Sequence, residues 1–324
     1  MELEDRTTSE PRPEGRMLFL GVSTSGSSIF GLFPRWAEIL GIRANVEGRD
    51  LPLGAPPEAY VRFVREVRDD PGVAGALVTS HKVGVFRYAG HLFDQLDADA
   101  RLCGEVSCIS RRDGALVGHA KDPLTAGRAL EEMLGPGYFR GRPAQAVCLG
   151  AGGAGTAIVV SLLRRPDPPA RIALADRSPD RLEAVAALCQ RLGALGVGAS
   201  GVEPVLVRTP EDADRLLEAP PGSLVVNATG AGKDLPGSPL SARAVFPREA
   251  VVWDLNYRGE LGFLRQARAQ AAERGLRLHD GWRYFLHGWA EIVAEVYHLT
   301  LTPPLFDRLA AAAEPLRPPT PAWP

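Results

Sequence analysis

The sequence predicts an α/β protein built in two parts. Two observations carry that expectation. Short apolar runs of strand length alternate with apolar stripes at helical spacing along most of the chain, the rhythm of mostly parallel sheet covered by helices. That rhythm is interrupted once, where Asp113-Gly114 sits between two short strand-like runs, a hairpin signal, and then it restarts.

The first series opens with Met17-Leu18-Phe19-Leu20-Gly21-Val22 as a strand. Phe33 to Leu40 follows as a helix, with Trp36, Ile39 and Leu40 at helical spacing. Ala44 to Glu47 reads as a strand, Pro57 to Val67 as a helix with Tyr60, Phe63 and Val67 on one side, and Gly75 to Thr79 as a third strand. After the hairpin comes an apolar-striped helix, Thr125 to Leu134. The strands of the second series are Ala146–Leu149, Arg171–Ala175, Val205–Val207, Ser223–Asn227 and Ala250–Asp254. Tyr284 to Tyr297 is a strong final helix whose stripe of Phe285, Trp289, Ile292, Val293 and Val296 belongs to a core, and Pro304 to Ala312 reads as another. Residues 1–16 and 317–324 are polar and Pro-rich and are expected as loose tails. The expected organisation is one domain of residues 17–123 joined by the helices of 283–316, and a second domain of residues 124–282.

Composition removes several classes of function. The net charge is -2 with no long basic run, so nucleic acid is not expected as the main partner. No stretch approaches ~18 consecutive apolar residues, and the N-terminus lacks the apolar core of a signal peptide, so no membrane association and a cytoplasmic location are expected. Cys103, Cys108, Cys148 and Cys189 form no CxxC pair and His is scarce, so reduced thiols and no metal site are expected. Oligomeric state stays open between monomer and homodimer.

The turn Gly150-Ala151-Gly152-Gly153-Ala154-Gly155 follows an apolar strand and precedes the helix Thr156 to Leu163. In that context Gly150 permits the tight turn, Gly152 leaves room for a pyrophosphate, and Gly155 lets helix and strand pack closely. The helix N-terminus offers free N–H groups and a positive dipole end to the phosphates. The second part is therefore expected to be a Rossmann, doubly wound, NAD(P)-binding domain. Asp176 stands just after the next strand, where a carboxylate accepts hydrogen bonds from ribose hydroxyls and repels a 2′-phosphate. Arg177 and Arg181 pull the other way, because guanidinium groups favour a phosphate. The balance favours NAD, with NADP kept open.

In the first part, Val78-Thr79-Ser80-His81-Lys82 ends one strand and Gly118-His119-Ala120-Lys121-Asp122 ends another. A dehydrogenase needs a group to take the hydroxyl proton as hydride leaves. A Lys82 whose pKa is lowered by partial burial, held by Asp122, would serve.

The chain resembles the shikimate dehydrogenases, including their quinate/shikimate relatives, over residues 17 to 300. Gly75-Ala76-Leu77-Val78-Thr79-Ser80-His81-Lys82 resembles the family's G-x-N-V-T-x-P-H-K, shortened by one residue. Gly104-Glu105-Val106-Ser107-Cys108-Ile109 resembles its G-A-V-N-T-I, Gly118 to Asp122 its G-x-N-T-D, the glycine turn its G-A-G-G-A, and Asp176-Arg177-Ser178 its N-R-T. Val226-Asn227-Ala228-Thr229 matches a family strand beside the nicotinamide, and Asp254-Leu255-Asn256-Tyr257 a segment that brings a Tyr near substrate. The resemblance implies a cleft between two domains and a catalytic dyad of Lys82 and Asp122. It implies cofactor contacts from Gly150, Ala151, Gly152, Gly153, Ala154, Asp176, Arg177, Asn227, Ala228, Thr229, Leu255 and Gly281, and substrate contacts from Ser25, Ser27, Thr79, Ser107, Tyr257 and His287.

The departures gather on the substrate side. The second serine of the family's S-x-S is Ile29 here, although Ser23 to Ser28 is rich in hydroxyls. The family's two Asn residues are Ser107 and Ala120, and its late Gln falls at Gly288 with His287 beside it. Loss of a partner to a particular hydroxyl reduces discrimination steeply. The expected reaction is hydride transfer between a nicotinamide and a ring hydroxyl or ketone of a cyclic hydroxy acid or cyclitol, shikimate- or quinate-like but not shikimate itself. The alternatives are reduction of an imine or amino-polyol, and a non-catalytic cofactor-binding regulator. The presence of both Lys82 and Asp122 argues against the regulator.

Overall fold

The computed structural model describes residues 14–194, 201–232 and 236–319, so residues 1–13 and 320–324 of the expected tails lie outside the described residues. The chain begins as β1 (Glu14–Gly21), α1 (Ile29–Leu40), β2 (Arg43–Asp50), α2 (Pro57–Asp69), β3 (Val73–Val78) and α3 (Lys82–Ala89). It continues through β4 (Gln95–Leu96), α4 (Ala98–Cys103), β5 (Cys108–Arg112), β6 (Ala115–His119) and α5 (Asp122–Leu134). The first sheet has the order β2-β1-β3-β5-β6-β4. β1 pairs in parallel with β2 and β3, and β5 runs antiparallel to both β3 and β6. Asp113 and Gly114 both take positive φ, 51° and 82°, which gives the two-residue hairpin its twist.

The second series is β7 (Ala146–Leu149), α6 (Gly153–Leu163), β8 (Ile172–Asp176), α7 (Pro179–Ala194), β9 (Val202–Leu206), α8 (Pro210–Asp214), β10 (Leu224–Asn227), β11 (Val251–Asp254), α9 (Gly262–Arg274) and β12 (Arg277–His279). Its sheet runs β12-β11-β10-β7-β8-β9 with every neighbouring pair parallel, the doubly wound order. β7, β8, β10 and β11 are buried along their whole length, as strands covered on both faces must be. That explains why they read as unbroken apolar runs rather than as alternating ones.

The chain then returns to the first sheet. α10 (Trp282–Val296) and α11 (Pro303–Ala313) share one core with β1 and α1: Trp282, Leu286, Trp289, Ile292, Val293, Phe306 and Leu309 pack with Met17, Phe19, Ile29, Phe33 and Trp36. The Trp36 indole N–H donates to the Leu309 carbonyl at 2.9 Å.

Some bounds differ from expectation for local reasons. β1 starts at Glu14, because residues 14–16 pair with 43–45 of β2. α1 starts at Ile29 although Pro34 lies inside it. Proline removes one helix N–H, but buried Ile29, Leu32 and Phe33 anchor the first turn on the sheet. At the other end, Arg317 pairs with Asp280 and Glu314. Among the described residues no helix is long and apolar enough to cross a membrane.

Candidate active site

The glycine turn is shaped by close approaches of main chain. Gly150 has φ 109°, and a Cβ there would stand 2.7 Å from the Ala228 carbonyl. A Cβ on Gly155 would overlap the Gly150 carbonyl oxygen. Gly152, in contrast, faces open space. The turn therefore needs glycine at 150 and 155 for its own packing and at 152 for what approaches from outside. α6 opens directly behind it, so its first N–H groups lack helical partners and point outward. These features fit a dinucleotide pyrophosphate at Gly152, Gly153 and Ala154.

Asp176, the last residue of β8, braces this turn. Its Oδ2 accepts the Ala151 N–H at 2.7 Å and its Oδ1 accepts the Ser178 N–H at 2.8 Å. Arg181 approaches Oδ2 at 3.6 Å, while the Arg177 side chain is exposed alongside. Sequence reasoning gives this carboxylate a ribose contact; the structure gives it main-chain partners in the turn and just after β8.

Across from the turn, Lys82 and Asp122 form an ion pair. Lys82 opens α3 directly after β3, and Asp122 opens α5 directly after β6, so adjacent regions of one sheet deliver them to each other. A carboxylate in the first turn of a helix is favoured by its dipole; an ammonium there is not, and Asp122 offsets that. Sequence reasoning expects burial to lower the Lys82 pKa. Burial does act that way, but the carboxylates of Asp122 and Glu105 outweigh it and hold the ammonium above its ordinary value. At neutral pH Lys82 therefore keeps its proton.

The remaining expected residues divide. Thr79 donates its hydroxyl to the Leu20 carbonyl at 3.1 Å and keeps the end of β3 against β1. Ser25 is exposed and Ser27 half-buried, in a loop held by Thr24 on Asp50 and by Arg258, which donates to the Gly26 carbonyl at 2.6 Å. Tyr257 sits among the rings of Trp282 and Phe285. Asn227 is fully buried: its Nδ2 donates to Ala231 O and Asp254 Oδ1, and its Oδ1 accepts from Thr229, fixing the turn through Ala228. Gly281 is a close-approach glycine, since a Cβ there would overlap the Leu255 carbonyl.

Two expected substrate contacts have other partners. Ser107 is fully buried, and its hydroxyl accepts the Lys121 N–H at 2.8 Å and lies 3.5 Å from the His119 carbonyl. It shapes the bend leading into Asp122. His287 is also buried. Its Nε2 pairs with Glu132 Oε1 at 2.9 Å and its ring stacks on Phe306 at 3.9 Å. It lines a cavity of about 740 Å³ with Pro123, Gly127 and Phe306, which includes neither Lys82 nor Asp122.

That pairing gives a pH test. Burial would raise the Glu132 carboxyl, but His287 and Arg283 outweigh it and bring it down to about 2 from an ordinary 4.5. A depressed carboxylate pKa stabilises the fold above the unfolded value and ceases to do so as pH falls through the folded one. The melting-temperature gap between the native chain and Glu132→Gln should hold near neutrality and close as pH falls from about 4.5 towards 2. A gap that fails to narrow over that range would contradict the pairing.

Two residues of the cluster escape sequence reasoning in their role. Glu105 is buried beside the dyad with its carboxyl at about 7: burial raises it first, Asp122 raises it further, and Lys82 opposes. Tyr284 on α10 has its phenol pushed well above its ordinary value by burial and by Asp122 and Glu105. Glu105 stands in the segment that resembles G-A-V-N-T-I, at the place of its Ala, and Tyr284 belongs to no quoted motif. Cys103 is close enough to feel Glu105, and burial lifts its thiol to about 12, so it stays unreactive.

No protein-family model matches the chain. It is 34% identical over 257 residues to the shikimate dehydrogenase (NADP+) of Methylobacterium radiotolerans, covering 78% of this chain and 80% of that protein. The chain belongs to the shikimate dehydrogenase family. A second member, from Paramagnetospirillum magneticum, is 32% identical over 270 residues, 83% of this chain and 87% of its own. Among solved structures of the family, shikimate 5-dehydrogenase from Thermus thermophilus in complex with NADP(H) and shikimate superposes with TM-score 0.66 at 26% identity, over 92% of this chain and 99% of that one. A quinate dehydrogenase from Corynebacterium glutamicum in complex with NAD shares the fold with TM-score 0.69 at 20% identity, over 93% of this chain and 99% of that one.

Proposed function

We propose that the chain transfers a hydride between a nicotinamide cofactor and a ring hydroxyl or ketone of a shikimate- or quinate-like cyclic polyol acid other than shikimate itself. Membership in the family makes it an NAD(P)-dependent oxidoreductase acting on CH–OH groups. The observation that carries the finer reading is the Lys82–Asp122 pair, set at the ends of two first-sheet strands with the glycine turn opposite.

The nicotinamide supplies or accepts the hydride. Lys82, held as an ammonium, donates its Nζ proton to the carbonyl oxygen as that oxygen gains charge, and takes it back in the reverse direction. Asp122 fixes the ammonium in place and offers its other oxygen to a neighbouring hydroxyl. Gly152, Gly153 and Ala154 would hold the pyrophosphate by main-chain N–H groups. Asp176 keeps the turn in shape and favours NAD over NADP, because a 2′-phosphate beside it would meet a second negative charge.

The altered substrate wall supports a substrate other than shikimate. Ile29 is fully buried in a core and offers no hydroxyl, Ala120 is buried, and Ser107 spends its hydroxyl on main chain. On this reading residues 17–123 with 283–316 form the substrate side and 124–282 the cofactor side, and the core shared by α10, α11 and β1 supports that division.

Steady-state assays with shikimate, quinate and their aminated or deoxygenated analogues, each with NAD and NADP, test the reading. Another acid of the panel should exceed shikimate in kcat/KM, and NAD should exceed NADP. Ordinary efficiency on shikimate would remove the substrate assignment, and a preference for NADP would remove the cofactor assignment.

A further inference from the structure

Glu105 is a charged group that the hydride-transfer chemistry leaves unused. It follows Gly104, whose φ of 66° ends α4, and the next residue, Val106, donates its N–H to the Lys82 carbonyl at 3.1 Å. The side chain is therefore pinned beside Lys82. It is 3% exposed, and its Oε1 has no hydrogen-bond partner among the described residues. Its Oε2 lies against the start of α6, where a Cβ added to Gly153 would stand 3.0 Å from it. Gly153 is the first residue of that helix, at the end where phosphates are favoured. A carboxyl thus stands at the edge of the phosphate cradle, and Gly153 is the glycine that admits it.

We propose that Glu105 is a residue of the dinucleotide site, and that the dinucleotide binds the form of the chain in which Glu105 holds a proton. The proposal rests on the reading that the cofactor lies on the glycine turn. Its cause is simple repulsion, since a carboxylate and a phosphate brought to one helix end disfavour each other's charge.

The groups around Glu105 make that proton available. Burial and Asp122 favour the neutral acid and Lys82 opposes them, which leaves the carboxyl at about 7. Lys82 is already matched by Asp122 and gives Glu105 only part of its charge. The Cys103 thiol and the Tyr284 phenol, both close by, are pushed up and stay neutral. Near neutrality the carboxyl is divided between its two forms, and phosphates arriving at α6 select the protonated one. The sign follows from linkage: the Glu105 pKa is higher in the complex than in the free chain, so binding takes up a proton and weakens as pH rises above about 7.

Calorimetric titration with NADH, NADPH and ADP-ribose, in two buffers of different ionisation enthalpy, counts the protons exchanged. At a pH of about 8 the native chain should take up close to one proton, and its affinity should fall about tenfold per pH unit above that. Glu105→Gln should take up none, bind about tenfold more tightly at that pH, and lose the slope. Glu105→Ala, which removes the charge without retaining the shape, should behave alike. A purely structural role would leave the proton count unchanged. Absence of uptake in the native chain, or the same slope in both variants, would overturn the proposal alone. Failure of any dinucleotide to bind at any pH would overturn the cofactor reading and this proposal together.

Discussion

Replacing Lys82 with Ala should lower kcat by about 10³-fold while dinucleotide affinity is kept, because general acid–base groups contribute in that range. On the proposed mechanism the ammonium of Lys82, held by Asp122, is the proton donor to the reacting oxygen. Without it, Glu105 keeps its burial and its Asp122 neighbour but loses the cation that opposes them, so its carboxyl becomes harder to ionise. A neutral Glu105 does not oppose the phosphates, which is why binding should survive the loss of Lys82. Lys82→Arg should not rescue, since a guanidinium does not give up its proton near neutral pH. Burst and steady-state kinetics with fluorescence titration of NADH separate the two effects. Native turnover in Lys82→Ala would remove the pair from the mechanism.

Gly155→Ala should damage both the fold and the cofactor site. A Cβ there meets the Gly150 carbonyl, which is main chain and cannot rotate away as a side chain would. Either α6 must shift or the turn must open, at a cost of about 3 kcal/mol, the upper part of the range for overpacking. Opening the turn also breaks the Ala151–Asp176 bond and scatters the N–H groups that would face the phosphates. Gly152→Ala is the control. Its Cβ meets nothing among the described residues, so stability should hold while affinity falls, because the methyl stands where the phosphates approach. Urea unfolding paired with NADH titration distinguishes them. Equal stability for the two variants would contradict the packing argument.

What the sequence allows and what it withholds follow from range. The strands of the second sheet and the glycine turn are local features, carried by unbroken apolar runs and by residues within one turn of each other. The pairing of Lys82 with Asp122 spans 40 residues, yet each ends a strand-like run and carries obvious chemistry. α3 escapes a reading by periodicity because Gly84 interrupts it. The structure explains that glycine, whose Cβ would collide with the Tyr60 ring. β4 and β12, of two and three residues, are too short to show a period. The sign of the Lys82 shift differs from expectation because it depends on how many carboxylates face the ammonium, and Glu105 is brought there by tertiary packing alone. Ser107 and His287 have partners that sequence reasoning does not give them, for the same reason. Their partners, Lys121 and Glu132, lie 14 and 155 residues away.

The return of the chain to its first sheet has a mechanical consequence. The polypeptide passes from the first sheet to the second through α5 and comes back through α10, so the two sheets are joined at two places. Those two helices pack against each other and are riveted by Arg128 on Glu291 and by Arg283 and His287 on Glu132. A body tethered at one point can swivel in any direction; a body tethered at two can turn only about the line through them. Any turning of the second sheet against the first would thereby be confined to one axis, and would carry the glycine turn towards or away from Lys82 along one arc.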